Sequence, residues 1–240
     1  MNIIVCKNYE EMSLKGAEIV AAQIKSNPET VLGLATGSTP EGMYAKLAEM
    51  CANGEISFKG VKTANLDEYY PIVPENDQSY RYFMNKNLFD KVDIDKKNTN
   101  VPDGTAPDPD AEGKRYDAMI ENLGGIDLQV LGIGRNGHIG FNEPDSELVR
   151  GTHLTALTQS TIEANSRFFA SIDEVPKQAI TMGLGTIMKA KKILLLASGK
   201  NKHEAIAHLL GDRIDPQVPA TLLKVHPDVI ILCDKAAYEG

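Results

Sequence analysis

Four runs of leucine and β-branched residues, Val31–Ala35, Leu128–Ile133, Ile193–Ala197 and Val229–Leu232, are almost wholly apolar from end to end. A strand with one wet face alternates apolar and polar side chains, so an unbroken run demands a sheet covered on both faces, the setting of parallel strands. Asn2–Val5 and Val61–Leu66 share this character more weakly. The segments Tyr9–Lys25, Glu41–Ala52, Ser79–Phe89, Asp110–Asn122 and Lys202–Leu210 read as amphipathic helices. In the first of them Met12, Ala17, Val20, Ala21 and Ile24 recur at roughly helical spacing. Strands alternating with helices predict an α/β fold: an open, doubly wound, mainly parallel sheet of Rossmann-like type with helices on both faces.

With 240 residues, 42% of them hydrophobic, the chain can bury a full-sized core. Length permits one large domain or two small ones, and the expectation is a single α/β domain over residues 1–240. The segment Pro102–Gly113, PDGTAPDPDAEG, has the composition of a linker. It reads as a domain boundary or, preferably, as a surface excursion within one domain.

A net charge of −8 without any dense Lys/Arg cluster argues against nucleic-acid binding. It leaves room for a small anion held by backbone N–H groups and one or two cations. The cysteines Cys6, Cys51 and Cys233 are widely spaced, suggest neither a zinc nor a redox motif, and fit a reducing cytoplasm. The apolar start, MNIIVC, is too short for a signal-peptide core or a membrane span. A cytoplasmic protein without membrane contact is therefore expected.

Ligands of open α/β sheets bind beyond the carboxyl ends of the strands, so the residues after Ala35, Leu66, Ile133 and Ala197 carry the functional information. After Ala35 come Thr36, Gly37, Ser38, Thr39 and Pro40, a turn whose glycine and hydroxyls could bring N–H groups to a phosphate. A tight turn with a hydroxyl N-cap is the plainer reading. After Leu66 come Asp67 and Glu68; one of them could be a general base, and the competing account is a solvated acidic loop. After Ile133 comes Gly134-Arg135-Asn136-Gly137-His138-Ile139-Gly140-Phe141-Asn142-Glu143-Pro144. Three glycines around one histidine favour an accessible imidazole that shuttles a proton, with Glu143 or Asn136 fixing its tautomer. No second His or Cys stands at a metal-ligand spacing, so no metal is expected. After Ala197, Lys202 in a first helical turn hints at an anionic ligand but reads as well as an ordinary surface lysine, while Arg167 in the helical stretch Glu163–Ala170 has the same two readings, the surface cation being the commoner.

LATGSTPEGMY, NLDEYY, GIGRNGHIGFNEP, EANSRFF and the Lys202 region occur in that order over nearly the whole chain. Together they resemble the glucosamine-6-phosphate deaminase (isomerising) family, in its short, non-allosteric form and with the fold of sugar-phosphate isomerases. The resemblance implies that Asp67 moves a proton between C2 and C1, and that His138, partnered by Glu143, assists ring opening. Thr36, Gly37, Ser38 and Thr39, with Arg167 and Lys202, would hold the phosphate of a small sugar phosphate. No metal or organic cofactor is implied. Many members carry Asp where this chain has Asn136, so His138 is expected to depend more on Glu143. Members with an allosteric site are longer and basic where this chain reads Gly151-Thr152-His153-Leu154-Thr155, which implies no such activation and a monomer. A 6-phosphogluconolactonase-like hydrolase and a sugar-phosphate sensor domain are the rival readings. FNEP and the NLDEYY carboxylate favour the deaminase over the first. The second needs a DNA-binding segment, and none is expected before the strand at Asn2.

Overall fold

The computed structural model describes residues 1–166, 169 and 171–240. Its strands are β1 (Asn2–Cys6), β2 (Val31–Leu34), β3 (Lys62–Asn65), β4 (Asp67–Tyr70), β5 (Thr99–Asn100), β6 (Leu128–Leu131), β7 (His153–Ala156), β8 (Gln178–Thr181), β9 (Lys192–Ala197) and β10 (Val229–Asp234). Among the described residues, seven of these form a sheet in the order β1-β10-β9-β6-β2-β3-β5, parallel at every pairing. The predicted apolar runs all lie in it, and Leu32, Leu128, Val130, Leu131, Ile193 to Leu195 and Ile231 are fully buried. Each such side chain contributes roughly 1.5–3 kcal/mol by leaving water.

The helices are α1 (Tyr9–Ser26), α2 (Ser38–Ala52), α3 (Tyr80–Met84), α4 (Pro109–Asn122), α5 (Gln159–Asn165), α6 (Leu184–Ile187), α7 (His203–Leu210) and α8 (Lys235–Glu239). From β2 the chain proceeds to β3 and β5 on one side, and from β6 to β9 and β10 on the other. The two strands are neighbours whose connections leave in opposite directions, and at such a point the loops part to open a crevice at the carboxyl ends. The turn after β2 and the glycine-rich loop after β6 both open into it.

Three corrections to the sequence reading bear on that crevice. α2 begins at Ser38 rather than Glu41, so Ser38 and Thr39 lie in its first turn. Asp67 to Tyr70 form a strand, not a loop: β4 pairs antiparallel with β8, and β8 with β7, in a second, three-stranded sheet. Lys202 ends a short 3-10 turn, and the α-helix starts at His203. Of the predicted helical stretch Glu163–Ala170, the part through Asn165 belongs to α5, and Arg167 lies outside the described residues.

Pro102–Gly113 is tied down along its length. Ile72 N–H donates to Gly104 O at 2.9 Å, Tyr70 Oη to Ala106 O at 3.0 Å, and Asp103 N–H to Glu112 Oε1 at 2.8 Å. Its last five residues, from Pro109, are the start of α4, capped by the Asp108 carboxylate.

At the opposite end of the main sheet, Asp127 gathers three strands. Its carboxylate accepts from Val31 N–H at 2.8 Å and Thr30 Oγ1 at 3.0 Å, and pairs with Lys191 Nζ at 2.7 Å, just ahead of β2, β6 and β9. Asp127→Ala leaves these donors without their acceptor and should cost about 1–3 kcal/mol, read as a lowered denaturation midpoint with an unchanged far-ultraviolet spectrum.

Candidate active site

A cleft of about 850 Å³ occupies the crevice, lined among others by Thr36, Gly37, Ser38, Thr39, Asp67, Asn136, His138 and Lys202. Its floor at the β2 end follows from Gly37. That residue's φ of 92° lies in the left-handed region, which glycine alone enters without strain, and it turns the chain from strand into α2. The first N–H groups of a helix have no intrahelical partner, so the turn presents donors to the cleft. Tyr44 Oη holds the Ala35 carbonyl at 2.6 Å, and Tyr9 bridges Ser38 O and Gly42 N at 3.0 and 2.8 Å, fixing the turn from behind.

Lys202 closes the other side. Its Nζ donates to Ile133 O at 2.6 Å, which ties the side chain to the start of the loop after β6 and brings a cation to the cleft that the Gly37 turn also lines. Gly199 N–H and Ser198 Oγ both bond to the Asp234 carboxylate, at 3.1 and 2.5 Å, and these contacts set the approach of the chain carrying Lys202. Of the residues expected around a phosphate, the structure thus brings Thr36 to Thr39 and Lys202 together.

The two carboxylates of β4 separate by strand alternation, which sends neighbouring side chains to opposite faces. Asp67 faces the cleft. Glu68 turns away and accepts the backbone N–H groups of Tyr69, Tyr80 and Arg81 at 2.8–2.9 Å, capping α3. Both are buried, at 6% and 2% exposure. Burial pushes Asp67 up to about 8, with the charge of Glu68 adding to the rise. Burial likewise lifts Glu68 to about 7, against the lowering effect of its three N–H donors and Arg81. Of the pair left open by the sequence, Asp67 is the one placed to meet a ligand.

The histidine loop folds back on itself through Gly134 N–H to His138 O at 2.8 Å. A Cβ on Gly134 would fall within 2.4–2.5 Å of three atoms of the His138 ring, so the imidazole lies flat against bare backbone. A Cβ on Gly140 would fall 3.7 Å from Asp67 Oδ2, which shows how closely this loop passes the buried carboxylate. His138 Nδ1 faces Glu143 Oε2 at 3.2 Å, and Asn136 Nδ2 donates to the same oxygen at 2.7 Å. The amide at 136 therefore acts on Glu143 and does not replace it. Burial alone would raise the Glu143 carboxyl; the hydrogen bond and charge of His138, then bonds from Thr161 and Asn136, bring it down to about 2.

The remaining residues of FNEP hold the loop in place. Asn142 Nδ2 donates to Ile139 O at 2.9 Å and Met182 O at 2.8 Å, and Phe141 N–H to Thr181 Oγ1 at 3.0 Å, which fastens the loop to the end of β8. Phe141 stacks on Tyr80, which packs against Tyr69 at 4.7 Å between ring centroids, and Tyr80 and Phe141 wall the cleft near Asp67. Sequence reasoning missed Tyr80, Phe141 and Thr161 as site residues. Phe141 lay within the FNEP motif but its role there was not read, and for Thr161 only the Thr158 hydroxyl three residues before it, a helix N-cap candidate, offered a signal. Among the described residues, no three His, Cys, Asp or Glu side chains cluster so as to hold a metal ion, and no helix is long and apolar enough to cross a membrane.

Residues 9–231 match the family described as glucosamine-6-phosphate isomerases/6-phosphogluconolactonase. The chain is 58% identical to the glucosamine-6-phosphate deaminase of Thermoanaerobacter pseudethanolicus, over 99% of its own length and 94% of that protein's. It is 57% identical to the enzyme of the same name from Clostridium perfringens, over 99% and 98%. A solved monomeric glucosamine-6-phosphate deaminase superposes with a TM-score of 0.96 at 46% identity, covering 99% of this chain and 98% of the other. The 6-phosphogluconolactonase of Trypanosoma cruzi, at 21% identity and TM-score 0.81 over 100% and 96% of the two chains, shares the fold.

The raised Asp67 carboxyl has a stability consequence. Between the unfolded value near 4 and the folded value of about 8, the folded state keeps a proton that the unfolded state releases, so stability falls as pH rises through that window. Asp67→Asn removes this loss. The variant should gain on the wild type progressively from pH 4 to 8 by about 1.4 kcal/mol per pH unit, on the order of 5 kcal/mol across the window, as measured by urea denaturation at several pH values.

Proposed function

The chain belongs to the glucosamine-6-phosphate isomerase/6-phosphogluconolactonase family, and we propose that it acts there as a deaminase, turning glucosamine 6-phosphate and water into fructose 6-phosphate and ammonia. The observation that carries this reading is the buried carboxylate of Asp67 facing one cleft with His138. Removing a proton from carbon needs a base shielded from water, whereas hydrolysis of a lactone has no such proton to remove.

His138 takes the proton of the C1 hydroxyl and returns it to the ring oxygen, which opens the sugar. Glu143, ionised throughout the neutral range, supports the transient imidazolium through Nδ1. Asp67 then removes the C2 proton; the electron pair moves toward the C1 carbonyl and yields an enolamine. Return of the proton to C1 leaves an imine at C2. Water adds there, and ammonia departs as the ketone forms. Substrate and water account for every atom.

Asp67 has no cation offsetting its burial among the groups that shift it in the described residues. The ammonium on C2 of the substrate supplies one beside the proton to be removed, so binding the amino sugar ionises its own base. The Gly37 turn and Lys202, joined in this proposal by Arg167, hold the phosphate, and that remote binding energy orients C1 and C2.

Incubation with glucosamine 6-phosphate should release ammonia and fructose 6-phosphate in equal amounts, and absence of both would refute the assignment. Asp67→Asn should bind the substrate while losing about 10²–10⁴-fold in kcat, measured by coupled assay and calorimetry. The relative at 46% identity is described as monomeric, and light scattering is expected to give the mass of one chain here as well.

A further inference from the structure

We propose that Thr161 is a positioning residue for ring opening: its hydroxyl holds one oxygen of Glu143 so that the other stays aligned on His138 Nδ1. The inference rests on the ring-opening role proposed above for His138 and Glu143.

Thr161 lies in α5 at 8% exposure, and its Oγ1 stands 2.6 Å from Glu143 Oε1. At that distance the single hydroxyl proton is donated to the carboxylate, in the stronger class of hydrogen bond made to a charged acceptor. Thr158, the N-cap of α5, backs the arrangement. Its Oγ1 accepts Thr161 N–H at 3.3 Å and stands 3.0 Å from Thr161 Oγ1 and 3.3 Å from Glu143 Oε1. Starting the helix thus also places the second hydroxyl.

The opposite oxygen, Oε2, receives Asn136 Nδ2 at 2.7 Å and faces His138 Nδ1 at 3.2 Å. A carboxylate is planar and rigid, so fixing Oε1 fixes the direction in which Oε2 presents its lone pairs. The arrangement favours the tautomer with hydrogen on Nδ1 and leaves Nε2 as acceptor toward the cleft. Asn136 by itself holds only one oxygen, about which the group could swing. Thr161 supplies the second point of attachment from an element that the glycine-rich motif does not contain.

The test is a kinetic cycle on glucosamine 6-phosphate with wild type, Thr161→Val, Thr161→Ser, Glu143→Gln and the Thr161→Val/Glu143→Gln double variant, each normalised to folded protein. Thr161→Val should lower kcat about 10- to 100-fold with KM changed less than about threefold. Thr161→Ser, which keeps the hydroxyl, should stay within about threefold of wild type. In the Glu143→Gln background the valine substitution should add less than about a factor of two, because its partner is already gone. Thr161→Ala, smaller than the native side chain, takes the place of the valine variant should that one fail to fold. Wild-type kcat in Thr161→Val, equal impairment of the serine variant, or a full additional loss in the double variant would overturn the assignment. An inactive wild type would instead overturn the functional reading beneath it.

Discussion

Among the described residues Asp67 is buried without a compensating cation, and most of the surrounding architecture can be understood as the means of keeping it there. An ionisable group in such a place costs stability, and a loop carrying it would relax toward water. Here the residue begins a strand. β4 is fastened on one side to β8, its neighbour Glu68 is spent on capping α3, and Tyr80 and Phe141 exclude solvent above it. The structure thus accepts an unfavourable burial, and in the role proposed for Asp67 its charge returns when an amino sugar arrives.

The histidine side of the cleft is solved in the opposite way. Glu143 is saturated with donors from Asn136, Thr161 and His138, and its carboxyl is correspondingly acidic. Among the described residues, two carboxylates of one site therefore have opposed environments, one raised by burial and one surrounded by donors. In the roles proposed for them, environments that diverge in this way would let a carbon-acid step and a ring-opening step run side by side at one pH.

Much of this was legible in the sequence, for identifiable reasons. The apolar runs marked the parallel strands because burial on both faces leaves no room for alternation, and the rule of carboxyl ends then pointed to Thr36–Thr39, Asp67, His138 and Lys202. The small antiparallel sheet was not legible. DEYY, HLTA and QAIT are four-residue strands of mixed polarity, too short for a period to show, and what makes them strands is tertiary pairing, for DEYY with QAIT across more than a hundred residues. The choice between Asp67 and Glu68 depended on that same strand, since only alternation separates their faces. Thr161 was hidden because its partner lies 18 residues away in another element. Nor could the sequence show that Asn136 serves Glu143 rather than standing in for a missing carboxylate.

A single residue, Leu66, separates β3 from β4. Its N–H donates to Leu34 O in the main sheet at 3.0 Å, and its carbonyl accepts Met182 N–H at the end of β8 at 2.7 Å. Asp67 therefore stands one peptide from the strand buried in the main sheet, with no longer span in between. Gradual warming should leave the position of Asp67 unaltered until the main sheet itself gives way. On the reading that Asp67 is the base, loss of chemistry and loss of fold should then coincide as one event.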